Sequence, residues 1–362
     1  MPVKKSFRLA APLLALCLSA LGAGRAPAQG DIRIELDATQ PRALLELFGR
    51  GKVTDEELLR VSKLHATQAL IRQASRFDPA ATEENFRASL RRVVETGASE
   101  PDPFRLAVVR SRLEASRSLL QQIEEGRQAF LSDVVARMRE YAPAGVALDT
   151  KVHFVLGGTS DGFAPASEAF YIALHYFGDD AEGLKTLMAH ELFHNVQAGL
   201  RGGRKPEGRP NVTKSLSLLQ HTVAEGTASM VGDPLALPAG KPYTDFLRAK
   251  YKRNLDRIAT NFALFEALLF RAYHDPGADY DQLYRLGFSG TWDSPLYFVG
   301  YRMGRVIEKY EGKAAVRELI GAEPARFFAR YVEVYRKHND PDIVRFSKPC
   351  EEILQSLQRA RP

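Results

Sequence analysis

Two histidines four residues apart, the first followed by a glutamate, interrupt an otherwise apolar segment, LMAHELFHNVQAG, from Leu187 to Gly199. Leu187, Met188, Leu192, Phe193 and Val196 mark that segment as a helix with a buried aspect. A polar cluster on a buried helix is costly unless it has partners. On a helix, residues four apart lie one turn above each other on one face. His190 and His194 can therefore aim imidazole nitrogens at a single metal ion. Glu191 lies about 100° round the helix and can reach a water on that ion without ligating it. This is the spacing of HExxH zinc hydrolases, where the metal polarises water and carbonyl and the glutamate takes the water's proton. The bland alternative is a partly exposed helix with two ordinary histidines.

The rest of the chain narrows the setting. Its 362 residues make one large domain or two modest ones, and 45% hydrophobic with 26% charged residues is ordinary for a globular protein. Lys4, Lys5 and Arg8, an apolar run from Leu9 to Gly24 and small residues at Ala26-Pro27-Ala28 read as a secretory signal. The expectation is a bacterial protein exported to the periplasm or the medium, with no membrane span after cleavage. An uncleaved anchor is the alternative, and a lipoprotein reading at Cys17 is weakened by Leu16 before it. Lys4, Lys5, Arg8 and Arg25 leave with the signal, so the formal charge of +6 falls to 6 − 4 = +2, and a nucleic-acid partner is not implied. Cys17 leaves too. Cys350 then has no disulfide partner and no thiolate cluster can form, so metal ligands must be His, Asp or Glu.

The periodicity predicts an α+β, mostly helical fold. DIRIELD (31–37) alternates as a short strand, and residues 40–141 are helical in pattern, closed by Pro143 and Gly145. KVHFVLGG (151–158) and EAFYIALHYFG (168–178) read as strands separated by the turn-rich SDGFAPAS. Asp179 and Asp180 can cap the HExxH helix, which stops at Gly199. RGGRKPEGRPN (201–211) reads as a solvated connector rather than a lid, a second helix runs from Ser215 to Val231, and the remainder is mostly helical. The expected organisation is signal peptide 1–28, N-terminal helical region 29–145, metal-bearing core 146–235, and a C-terminal helical region 236–362 completing the cleft.

A catalytic zinc needs a third protein ligand and an open position. HTVAEGTASMVGD offers Glu225, with His221 one turn earlier on the same helical face. HExxH followed, 31 residues after His194, by E-G-x-A resembles the gluzincins, the thermolysin-like and aminopeptidase-like zinc peptidases. The resemblance implies a zincin-like core in which a small sheet packs on the HExxH helix, one zinc per chain, and Glu225 as third ligand, with His221 in reserve. SPLYFVGYRMGRVIEKYEG resembles the Y-x-x-G helix of aminopeptidase-like members, which implies Tyr297 as the donor to the oxyanion, with Tyr301 its competitor. Residues 141–197 also resemble a group of poorly characterised exported bacterial zinc-dependent peptidases: an aromatic-Pro helix end, a strand closing in Gly-Gly, S-D-G, then HExxH.

Departures qualify the resemblance. The G-x-M-E-N motif that grips a free amine is missing, so the reading is endopeptidase-like rather than aminopeptidase. Ser229 stands where thermolysin-type enzymes have an orienting aspartate, and Asp233 is the nearest acid. The expected function is zinc-dependent hydrolysis of a peptide or protein substrate, with Glu191 as general base and FYIAL as an edge strand to which substrate adds. The rivals are a zinc hydrolase of a non-peptide amide and a binding protein that keeps the core without turnover.

Overall fold

The computed structural model describes residues 30–98, 100–164, 169–201 and 208–359. The signal-like segment, residues 1–28, and most of the 201–211 connector lie outside the described residues. In chain order the elements are β1 (Ile32–Asp37), α1 (Thr39–Arg50), α2 (Asp55–Ser62), α3 (His65–Ser75), α4 (Glu83–Thr96), α5 (Leu106–Ser111), α6 (Leu113–Glu125) and α7 (Arg127–Arg139). Then come β2 (Leu148–Val155), β3 (Gly162–Phe163), β4 (Ala169–Ala173), α8 (Ala181–Arg201) and α9 (Pro210–Val231). The chain closes with α10 (Pro242–Asp256), α11 (Ile258–His274), α12 (Tyr280–Phe288), α13 (Pro295–Ile320), α14 (Pro324–Lys337) and α15 (Lys348–Arg359). The fold is α+β and mostly helical. No helix among the described residues is long and apolar enough to cross a membrane.

Local chemistry accounts for many boundaries. Thr54 and Glu57 form a reciprocal capping box at the start of α2. The long helical pattern before residue 143 is broken at Arg112 and Gly126, both outside helical φ/ψ, so it becomes three helices. At the first break the Arg112 guanidinium donates to the His175 carbonyl (2.9 Å). Helix α9 begins at Pro210, five residues before the expected Ser215, because a proline at the first helical turn gives up no helical hydrogen bond.

The sheet has the order β1-β2-β4-β3, with β1, β2 and β4 parallel and β3 antiparallel to β4. This corrects one expectation. The FYIA strand is not an edge, because Gly162 and Phe163 pair with its Ile172 and Tyr171. The Ser-Asp-Gly turn folds the chain back and takes the backbone groups that an added strand would have used. One row crosses all four strands in register: Asp37, His153, Tyr171 and Phe163. Its middle is tied by His153 Nδ1 to Asp37 (2.8 Å), and the Tyr171 hydroxyl meets His65 from α3 (2.8 Å).

Helix α8 is fixed from several sides. Asp180 caps it by accepting from the Gly183 amide (2.7 Å), while its other oxygen accepts from Thr244 of α10 (2.7 Å). Arg137 of α7 reaches Thr186 (2.6 Å) and Glu182 (2.5 Å), and Asn195 reaches Thr150 of β2 (3.5 Å). Helix α9 lies against both α8 and α13. Its contact with α13 is backbone on backbone: a Cβ on Gly226 would run into the Gly300 backbone, and one on Gly300 into the Thr222 carbonyl.

Candidate metal centre

Helix α8 supplies His190 and His194, their rings 5.0 Å apart and nearly perpendicular. Helix α9 supplies Glu225, which is completely buried. Oε2 of Glu225 stands 3.5 Å from Nε2 of His190 and 3.3 Å from Nε2 of His194. Among the described residues, these three form the group whose ligand atoms all lie within 4.8 Å of one another. Metal–ligand bonds of 2.0–2.2 Å in tetrahedral array set donor atoms about 3.4 Å apart. The two histidine–glutamate spacings therefore match edges of a tetrahedral zinc site.

The hydrogen-bond inventory agrees. Among the described residues, His194 Nε2 and both carboxylate oxygens of Glu225 are buried without a hydrogen-bond partner. Leaving such groups unsatisfied costs about 1–3 kcal/mol each, more when charged. In the metal-free chain, burial opposes charge on both groups, but their mutual attraction prevails. The His194 imidazole is pushed up to about 9, and the Glu225 carboxyl is held well below the usual carboxylate range. The donor set, two imidazoles and one carboxylate, is what a catalytic zinc takes when one position is left open.

Surrounding residues orient the donors. His194 Nδ1 is 2.9 Å from Oε1 of Gln197, and Gln197 Nε2 donates to the Ala224 carbonyl (2.9 Å) and to Thr227 Oγ1 (2.8 Å). Those two donations leave Oε1 as the atom facing the ring, so His194 keeps a proton on Nδ1, and a metal that displaces the Nε2 proton would find the Nε2 lone pair turned to the site. At the other histidine, Gly232 closes the approach: a Cβ there would strike His190 Cβ and the Thr186 carbonyl.

Glu191 is half-buried, makes no hydrogen bond or ion pair with the described residues, and has its carboxyl pushed up by burial. Tyr297, on the first turn of α13, stacks on His190 with ring centroids 6.2 Å apart and planes 9° from parallel. Burial and the Glu225 charge keep its phenol protonated. The glycine contact between α9 and α13 sets that position, since Gly300 lies one turn beyond Tyr297.

The other sequence candidates are engaged elsewhere. The Tyr301 hydroxyl donates to Asp233 (2.6 Å), which also receives Arg305 (2.5 Å), so Asp233 holds α13 and orients no histidine. His221 Nδ1 meets the Tyr280 hydroxyl (2.6 Å) inside an aromatic pocket with Tyr284 and Phe288, and His221 is not among the three converging donors. Ser229 is buried, and its carbonyl accepts from Tyr251 (2.9 Å). The residue missed from sequence is Gln197. Its signal was there, since the residue three after His194 lies on the same helical face.

A family model described as "Putative zinc dependent peptidase (DUF5700)" matches residues 59–340, a span that contains all of these residues. No curated protein and no solved structure matches the chain.

Proposed function

Because the chain belongs to this zinc dependent peptidase family, we propose that it is a gluzincin-type, endopeptidase-like zinc hydrolase that acts on peptides after export. The observation that carries the reading is the convergence of His190, His194 and Glu225, in which His194 Nε2 and both oxygens of the buried Glu225 carboxylate have no hydrogen-bond partner among the described residues. Zinc held by these three would act as a Lewis acid toward water and the scissile carbonyl.

The chain's own residues do the rest. Glu191 accepts the proton of the attacking water and passes it to the leaving amine. Tyr297 donates its hydroxyl proton in a hydrogen bond to the developing oxyanion. Gln197 holds His194 in the tautomer that leaves Nε2 free. Substrate does not add to β4, whose edge β3 covers.

Glu191→Gln tests this reading. The amide keeps size and shape but takes no proton. About one zinc per chain and an unchanged Tm are expected, with peptide hydrolysis lowered by at least about 10²-fold. A zinc-loaded wild type that cleaves nothing in a broad peptide library, or a mutant as active as wild type, overturns it.

A further inference from the structure

Lys250 occupies an unusual place. It lies on the inward stripe of α10, Tyr243, Leu247, Lys250 and Asn254, where the spacing of four, three and four faces one side of a helix. Tyr243 and Asn254 are buried, and Leu247 packs on the core. Lysine is rarely found on such a face unless it is paired. Most lysines among the described residues are paired, as Lys63 is with Glu83, Lys151 with Glu35, Lys241 with Asp179 and Lys309 with Asp340. Lys250 forms no ion pair among the described residues, and its one hydrogen bond is a long 3.4 Å contact to Ser294 Oγ.

The carboxylates that act on it are committed elsewhere. Asp293 is held by Arg253 (3.1 Å) and Arg257 (3.4 Å), Asp161 by the Tyr243 hydroxyl (2.6 Å), and Glu225 faces the two histidines. Its remaining charged neighbour, Arg253, is a second cation. The Lys250 ammonium stands 5.6 Å from the ring centre of Tyr297, the same ring that stacks on His190 at 6.2 Å. A half-buried cation with no contact anion among the described residues thus lies over the ring of the tyrosine that stacks on His190. Successive Cα atoms of a bound peptide are about 3.8 Å apart, so a cation over the Tyr297 ring is on the scale of one residue from a carbonyl held by the Tyr297 hydroxyl.

We propose that Lys250 binds a carboxylate of the substrate within one residue of the scissile bond, supplied by the chain-terminal α-carboxylate or by an Asp or Glu side chain. This rests on the peptidase reading and names the substrate class. A charge-assisted hydrogen bond replaces the missing partner and favours acidic over neutral substrates.

The test uses peptide pairs: free C-terminus against carboxamide, and Glu against Gln at each position flanking the scissile bond. Binding is measured by fluorescence anisotropy on zinc-loaded Glu191→Gln protein, alone and combined with Lys250→Met or Lys250→Arg. One pair is expected to show at least about tenfold tighter binding of its acidic member, and which pair does so identifies the source of the carboxylate. Lys250→Met brings that ratio close to one, Lys250→Arg keeps part of it, and raising salt shrinks it. Equal binding within every pair, no binding at all, or a Lys250→Met loss shared by both members overturns the assignment. Wild-type turnover of the same peptides is read separately. Cleavage without discrimination removes Lys250 alone, and discrimination without cleavage removes the peptidase reading alone.

Discussion

Replacing Gln197 with methionine keeps the length and volume of the side chain and removes all of its hydrogen bonding. Three interactions are lost: the acceptor for His194 Nδ1–H at 2.9 Å, and the donations to the Ala224 carbonyl and Thr227 Oγ1. The last two cost little. The Ala224 carbonyl faces Thr227 Oγ1 at 3.4 Å, and that hydroxyl keeps its bond to Val223 (2.8 Å). The first is what matters. Gln197 is only 2% exposed, so the Nδ1–H of His194 is left with no partner and the ring is free to turn. An unsatisfied buried donor costs about 1–3 kcal/mol, and since 1.4 kcal/mol is tenfold, zinc affinity should fall roughly 10- to 100-fold. Gln197→Glu restores an acceptor for the ring and should lose less. Competition against a chromophoric zinc chelator measures the affinity directly. If Gln197→Met binds zinc within about threefold of wild type while remaining folded, then Gln197 does not orient His194 and the tautomer argument fails.

Four further substitutions have expected outcomes. Tyr297→Phe should leave zinc content and Tm intact but cost roughly 10² to 10³ in turnover. Tyr301→Phe should instead lose about 1.5–3 kcal/mol of stability in urea unfolding, because its hydroxyl serves Asp233; the reverse pattern would exchange the two roles. Gly300→Ala drives a methyl into the Thr222 carbonyl, so helices α9 and α13 must separate. It should cost about 3 kcal/mol, the upper end of overpacking, and lower turnover by moving Tyr297, and wild-type-like urea unfolding would show that the two helices are not in backbone contact. His175 is buried and its imidazole pushed down to about 3, so the folded state prefers it neutral. Its contribution is complete above the unfolded value near 6.5 and is lost as pH falls below it, by about 2 kcal/mol at pH 5. His175→Asn should flatten the loss of Tm between pH 7 and 5, and an unchanged slope would assign that loss to other groups.

The chain's own text determined what local physics can determine. The α+β, mostly helical character follows from periodicity, because amphipathic spacing is a property of each segment alone. The Asp180 cap and β1 follow from patterns a few residues long. The HExxH pair was legible because one helical turn fixes the separation of His190 and His194 whatever surrounds them. Glu225 was a candidate beside His221 that only the resemblance singled out, and Tyr297 entered through resemblance alone, since 31 residues of intervening chain say nothing about distance. Tertiary structure alone put Glu225 within 3.5 Å of both histidines. It also separated Tyr297 from Tyr301, two residues of similar chemistry one turn apart, by engaging the Tyr301 hydroxyl with Asp233 and stacking the Tyr297 ring on His190. The edge of β4 was decided in the same way. Strand neighbours depend on where the turn at Ser160-Asp161-Gly162 sends the chain, and alternation of residues carries no information about which edge is already taken. Lys250 makes the same point from the other side. Its place on the inward stripe of α10 can be read from spacing, but the lack of a carboxylate partner among the described residues is a fact about other elements, and only their packing could decide it.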